Sequence, residues 1–397
     1  MRETVFTANA CCSQLTIAAA ARCGALPCYS EGVSFRDFLG NESTVRYLRE
    51  AIAADRFPHA LILSGPRGAG KYTLAVKLAQ TLNCLDLREA DGLPDPCGVC
   101  SNCARIEQSV DLDARVDEAI AAREELRDAD KRDTRILIQT HPDLLVIPPD
   151  PPQLLIKLGQ VRTLIREIYR MPAEARRAVY IFTSSAFMKE AANSLLKVLE
   201  EPPAHATIFL LAENPGDLLP TIRSRAAIVR LGALPLEQIE SVLSSRRSEL
   251  RPPQRALVAR LAQGAVGQAL GFDLEAYLAS RTDALVMLRS ATRDQDFSTL
   301  FRMTETYRAG ADGQQKTAGL IRALNSLLED LLLLHSGAPQ LIRNIDLEKE
   351  LAATAGAVSV GWIEGAERGL HQVESGMRRN LLRSLSLDAY ATSLSRA

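Results

Sequence analysis

The sequence predicts an α/β nucleotide-binding domain that carries a cysteine module and is followed by a wholly helical C-terminal part. Three observations predict it. An apolar run, Ala60-Leu61-Ile62-Leu63, leads into Gly65-Pro66-Arg67-Gly68-Ala69-Gly70-Lys71-Tyr72-Thr73 and then into the helical pattern Leu74–Ala79. That order of strand, glycine-rich turn and helix makes a phosphate cradle: the glycines let successive N–H groups and the helix N-terminus face an anion, and Lys71 reaches the outer phosphates. Downstream, Cys84, Cys97, Cys100 and Cys103 form a C-x12-C-x2-C-x2-C cluster. Beyond about residue 231 the alternation of short apolar runs with helices gives way to helical periodicity alone.

With 397 residues, 47% hydrophobic and 24% charged, the chain can bury two or three ordinary cores. Its net charge of −1 singles out neither nucleic acid nor membrane as a partner. No apolar run reaches the roughly 18 residues that span a bilayer, so a soluble, cytoplasmic protein without a membrane partner is expected. Residues 1–32 hold Cys11, Cys12, Cys23 and Cys28 and a short apolar run, Ile17–Ala21, behind the positive charge of Arg2. The run resembles an export signal, but an exported nucleotide-binding protein meets no ATP. This segment is therefore read as a disordered N-terminal extension, arising from a start codon placed too early, and its cysteines as incidental.

Organised sequence begins near Val33, where Phe35-Arg36-Asp37-Phe38-Leu39-Gly40-Asn41 precedes a helical pattern from Ser43 to Ala54 with Val45, Leu48 and Ile52 on one face. The phosphate loop contains a defect. The position after the lysine, where a Ser or Thr hydroxyl would bind the nucleotide's Mg²⁺, is Tyr72. Its phenol is too long to substitute, and Thr73 lies about 100° further round the helix. The candidate phosphate-binding residues are thus Gly65, Gly68, Gly70, Lys71 and Thr73, with ATP or ADP binding in doubt.

Phe38-Leu39-Gly40-Asn41, Pro58-His59-Ala60 and the phosphate loop resemble the AAA+ subunits of the bacterial replicative clamp loader, the gamma/tau and delta-prime subunits of DNA polymerase III. The overlapping C-x2-C units place four thiolates on one tight knuckle, a donor set for tetrahedral structural Zn²⁺ with no open position. A disulfide is disfavoured in a cytosolic setting. The resemblance also implies a zinc module here, although the first spacing exceeds that family's usual one. Between Asp111 and Arg135 a charged stretch, with Leu112, Val116, Ile120 and Leu126 near helical spacing, reads as a solvated insertion. His141-Pro142 then opens a strand, with His141 a turn residue.

Ala178–Phe182 is the next buried strand, and a hydrolysing relative would end it in Asp-Glu to hold Mg²⁺ and activate water. No acid occurs between Glu174 and Glu190, so phosphoryl transfer lacks both supports. Ala191–Pro203 resembles the most recognisable segment of clamp-loader subunits: an amphipathic helix with Leu195, Leu196 and Leu199 inward, ended by Pro202-Pro203, its glutamates solvated. Thr207–Ala212 is a strand ending at Glu213-Asn214, where the family has a polar sensor of the γ-phosphate. Leu219-Pro220-Thr221-Ile222-Arg223-Ser224-Arg225-Ala226 resembles the Ser-Arg-Cys motif, with Ala226 in place of cysteine. The resemblance implies that Arg225 projects into the ATP site of a neighbouring subunit as an arginine finger.

Gln268 stands where active relatives carry a phosphate-sensing arginine. Leu320, Leu324, Leu327, Leu328 and Leu331 lie at core spacing, and Asn380–Asp388 resembles the oligomerising collar. The expected organisation is therefore an extension (1–32), an AAA+ domain (33–230) with zinc module (84–103) and charged insertion (111–138), a helical lid (231–278) and an all-α collar (279–397). The resemblance implies a delta-prime-like, non-hydrolysing clamp-loader subunit. Its partners would be gamma/tau and delta subunits, the sliding clamp and, through the complex, primer-template DNA. An ATP-hydrolysing gamma/tau-like motor and an unrelated zinc-dependent nucleic-acid-binding protein are the alternatives. The aspartate-rich surroundings of the cysteines oppose the second of these. A chain starting at Val33 is expected to match the full chain in thermal unfolding and in co-elution with partner subunits; failure of either would give the extension a role.

Overall fold

The computed structural model describes residues 34–151, 153–292, 297–307, 310–377 and 383–394. The extension expected over 1–32 and the start of the expected collar segment, Asn380–Leu382, lie outside these residues. The chain divides into two compact units. One runs to Leu234 and also takes in Ala265–Gln268; the other comprises Pro235–Gly264 and everything from Ala269 onward.

The first unit is a mixed α/β structure with eight strands among the described residues: β1 (Ala60–Ser64), β2 (Arg88–Ala90), β3 (Leu93–Asp95), β4 (Ile138–His141), β5 (Leu144–Ile147), β6 (Ala178–Phe182), β7 (Ala206–Ala212) and β8 (Ala227–Arg230). Six of them form one sheet in the order β4-β5-β6-β7-β1-β8, while β2 and β3 make a separate hairpin. Pairing is parallel from β5 to β8, and only β4 runs antiparallel to its neighbour. Strand β1 lies between β7 and β8, so the loop leaving it opens at a topological switch point, the usual ligand position in such sheets.

Every residue of β1, β6 and β7 is buried, which is why these strands read as continuous apolar runs. Their side chains alternate between two cores. Leu61, Leu63, Val179, Ile181, Phe209 and Leu211 join the core formed with α1 (Glu42–Ala53), α2 (Lys71–Asn83) and α3 (Ser101–Glu107). Ile62, Tyr180, Phe182, Ile208 and Leu210 join the opposite core, which is completed by helices further along the chain.

Helices α4 (Leu112–Glu124) and α5 (Asp128–Asp133) occupy the charged stretch, ahead of α6 (Leu158–Glu167), α7 (Lys189–Glu200) and α8 (Pro220–Arg223). The charged stretch is less solvated than its composition implies. Leu112, Val116 and Ala119 pack on the sheet-face core at helical spacing. On the same side of α4, Arg123 donates to Asp150 Oδ1 at 2.7 Å, and Lys157 donates to the same oxygen at 3.1 Å. Asp150 is only 1% exposed, and a buried carboxylate needs such partners.

The long Cys84–Cys97 spacing also has a physical account. Strands β2 and β3 are joined by Asp91-Gly92 with φ of 55° and 73°, the left-handed pair that an Asp-Gly hairpin turn adopts. Arg49 of α1 donates to the carbonyls of Pro94, Ala90 and Leu93 at 2.9, 2.6 and 2.9 Å, and its guanidinium lies 5.2 Å from the Phe35 ring centroid.

The second unit is helical: α9 (Leu236–Arg246), α10 (Pro252–Leu261), the end of α11 (Val266–Leu270), α12 (Leu274–Thr292), α13 (Ser298–Glu305), α14 (Gly310–His335), α15 (Glu348–Ala355), α16 (Val360–Met377) and α17 (Arg383–Leu394). Leu320, Leu324, Leu327, Leu328 and Leu331 of α14 form the middle of its core, with Trp362, Leu370 and Tyr390 around them. A buried polar network ties the segment after α14 to this bundle. Asp330 accepts from the backbone N–H of Arg343 and Asn344 and from the Asn344 side chain, and Asn344 Oδ1 accepts from Tyr277 and Arg281.

Replacing Arg49 by Ala is expected to cost about 1–3 kcal/mol, because it strands buried carbonyls. Lys should recover little, since its ammonium lacks the fork. Thermal unfolding of both variants measures this.

Candidate nucleotide and metal sites

The phosphate loop keeps the shape its sequence implies. Lys71, first residue of α2, donates from Nζ to the carbonyls of Gly65 at 2.6 Å and Pro66 at 2.8 Å, drawing the loop into a curl. Gly68 and Gly70 have φ of 80° and 83°; a Cβ on Gly68 would come within 2.7 Å of the Gln268 backbone nitrogen. Side chains are strained in that backbone region and have no space there. Burial lowers the Lys71 pKa, opposed by the nearby Glu213 carboxylate and aided by Arg67.

Residues 265–268 lean on the loop. Gly267 N–H donates to the Gly68 carbonyl at 2.8 Å and Gln268 Nε2 to that of Arg67 at 2.7 Å. The Gln268 amide is thus engaged with backbone. Tyr72 turns from the loop: its ring packs against the sheet-face core and its hydroxyl donates to the Ser109 carbonyl at 2.6 Å. Burial, partly offset by that bond, holds the phenol well above its ordinary pKa. Thr73 is exposed on α2. At the end of β6, Thr183 N–H donates to the Ile147 carbonyl and Ser184 Oγ accepts from Ala186; no carboxylate stands in this turn.

The four cysteines converge. The sulfurs of Cys84, Cys97, Cys100 and Cys103 all lie within 4.8 Å of one another, close to the roughly 3.8 Å edge of a tetrahedron with 2.3 Å metal–sulfur bonds. N–H groups of Cys97, Cys100 and Cys103 donate to the sulfurs of Cys84, Cys97 and Cys100 at 3.3, 3.3 and 3.5 Å. Burial pushes the Cys103 thiol up. At Cys100 burial acts the same way, but N–H bonds from Cys103 and Leu85 and the neighbouring thiols outweigh it and bring that group to about 6. This donor set can hold a metal ion, which would replace the remaining thiol protons on binding.

A chain of buried hydrogen bonds fastens this module to the sheet. Asn83 Nδ2 donates to the Arg177 carbonyl at 3.0 Å, and Asn102 Nδ2 to the Asn83 carbonyl at 3.0 Å. His141 Nδ1 accepts from Asp143 N–H at 3.1 Å, which leaves the proton on Nε2 to bond Asn102 Oδ1 at 3.1 Å. Burial, joined by the charge of Arg105, lowers the His141 pKa and keeps the ring neutral. His141 is thus a turn residue that also links the module to the sheet, and no local pattern in the sequence announced it.

Arg225 follows α8. Its Nη1 donates to the Thr221 carbonyl at 2.9 Å and Ser224 Oγ at 3.2 Å, and Nη2 donates to Glu200 Oε1 at 2.7 Å. The structure brings the loop residues together around Lys71 and the cysteines around one point. The pairing of Glu200 with Arg225 is a contact the sequence did not reveal.

Residues 40–235 match the family model described as DNA polymerase III, delta subunit. The chain is 30% identical to DNA polymerase III subunit tau of Escherichia coli over 282 residues, 68% of this chain and 38% of that protein. It is 31% identical to subunit delta-prime of Bacillus subtilis over 218 residues, 55% of this chain and 54% of that one. This chain belongs to the gamma/tau and delta-prime family of DNA polymerase III clamp-loader AAA+ subunits. It spans about half or less of the length of these two relatives. A Thermotoga maritima gamma subunit-related protein of known structure aligns with 89% of the chain and 99% of its own length at 15% identity, TM-score 0.39, a likeness too slight to add to the argument. Among the described residues no helix is long and apolar enough to cross a membrane.

Metal analysis of chain purified without chelator is expected to find a single bound ion, lost when Cys100 or Cys103 is replaced by Ser. Metal-free wild-type protein would refute the site.

Proposed function

We propose that this chain is a delta-prime-like, non-hydrolysing member of the clamp loader that helps place the sliding clamp on primed DNA in the cytoplasm. One observation carries the reading: Tyr72 spends its hydroxyl on the Ser109 carbonyl while no acid follows β6, so the metal-binding half of a hydrolytic site is missing from a loop that is otherwise well formed. Phosphoryl transfer depends on metal and positioned charge more than on any covalent step. Gln268, bonded to the loop backbone, supports the same conclusion.

On this reading the chain acts on a neighbour. Arg225 supplies its guanidinium to the ATP of an adjoining gamma/tau subunit, where a fixed fork meets charge spreading over the γ-phosphate. The cysteines hold structural Zn²⁺, since four thiolates leave no position for water. Residues 231–278 act as a lid and 279–397 as the collar that joins gamma/tau and delta subunits; primer-template DNA is met through the assembly. The comparable identity to tau keeps a motor role as the second reading.

The experiment combines the purified chain with gamma/tau and delta from the same source. The chain alone should show no ATP turnover that depends on Lys71. In the complex, Arg225→Ala should leave assembly and metal content intact but lower DNA-stimulated hydrolysis and clamp loading, and Arg225→Lys should rescue little. Turnover by the isolated chain that is lost in Lys71→Ala would establish the motor reading instead.

A further inference from the structure

Arg225 is held by the end of α7, a segment whose glutamates the sequence alone places at a solvated helix end. Glu200 is the last residue of α7. Its Oε1 accepts from Arg225 Nη2 at 2.7 Å, while Nη1 is taken by the Thr221 carbonyl at 2.9 Å and Ser224 Oγ at 3.2 Å. Acceptors on α7 and around α8 therefore fix the guanidinium plane from two sides. Among the described hydrogen bonds Arg225 Nε and the second Nη2 hydrogen have no partner, so two N–H groups remain for an outside acceptor. Neighbouring Glu201 makes no such bond among the described residues.

We infer that Glu200 is a positioning residue for Arg225, setting the angle at which the guanidinium meets a neighbouring subunit's phosphate. The inference rests on reading Arg225 as a finger in trans. Magnitudes decide between a guide and a lock. The two side chains are 33% and 50% exposed, and an exposed ion pair shifts an equilibrium by at most about five-fold. An arginine finger is worth on the order of 10³–10⁵ in turnover. The pair is too weak to keep Arg225 from a phosphate, yet it narrows the conformations of a long side chain before docking. A misplacement of 1 Å can cost on the order of 10² in rate, so that narrowing has a kinetic effect.

The test uses the reconstituted complex containing the full chain. Glu200→Ala should slow hydrolysis at the adjoining ATP site about two- to five-fold through kcat, with KM for ATP little changed. Glu200→Gln keeps an oxygen acceptor and should restore most of the rate; Glu201→Ala should behave as wild type. The double variant Glu200→Ala/Arg225→Ala should be no slower than Arg225→Ala, because the carboxylate acts only through the guanidinium. In the isolated chain, phenylglyoxal should modify Arg225 several-fold faster in Glu200→Ala than in wild type, read by mass spectrometry. If Arg225→Ala slows turnover but Glu200→Ala does not, or if the two losses multiply, the positioning role is refuted and the finger stands. An unchanged rate with Arg225→Ala refutes both, and equal modification of Arg225 in wild type and Glu200→Ala refutes the pairing itself.

Discussion

Everything in the α/β unit depends on β1 being buried on both sides. Its side chains alternate, Leu61 and Leu63 to one core, Ala60 and Ile62 to the other. Parallel pairing to β7 and β8 leaves the strand no lateral freedom. The loop after Ser64 consequently begins from a fixed point. Lys71 can bridge the carbonyls of Gly65 and Pro66 because both ends of that short arc, the strand and α2, are anchored in packed cores.

Polar contacts then fasten the additions to this frame. Asn83, Asn102 and His141 link the end of α2, the cysteine helix and the β4–β5 turn through bonds that water does not reach. Asp143 accepts from the N–H groups of Ala173, Glu174 and Ala175 and so fixes the approach to β6. Asp150 does the same for α4 through Arg123. Buried polar groups must be paired, so each pairing specifies where an added segment lies, beyond any stability it contributes.

What the sequence made legible was periodic or local. The apolar runs of β1, β6 and β7, the heptad-like leucines of α14, the glycine-lysine loop and the paired C-x2-C units each carry their signal within a few neighbouring residues. The remainder depends on long-range pairing. The Tyr72 phenol finds its acceptor at Ser109, Arg225 its carboxylate at Glu200 and His141 its amide at Asn102. None of these partners is implied by spacing, and the charged stretch around α4 looked solvated because Asp150, which receives Arg123, lies beyond it in the chain.

The hairpin between the first two cysteines shows how a thiol can be brought to the cluster without a fixed count of residues. Arg88 pairs with Asp95 and Ala90 with Leu93, so the two arms stay about 5 Å apart however far the hairpin extends. Growth or loss of paired residues at the Asp91-Gly92 tip would leave Cys84 and Cys97 facing one another unchanged. Spacing between the first and second cysteines is thus free to drift in steps of two, whereas the two C-x2-C intervals, which have no ladder between them, are not. A search for such modules that fixes every interval would overlook members built like this one; the tight pair of intervals is the feature that geometry holds constant.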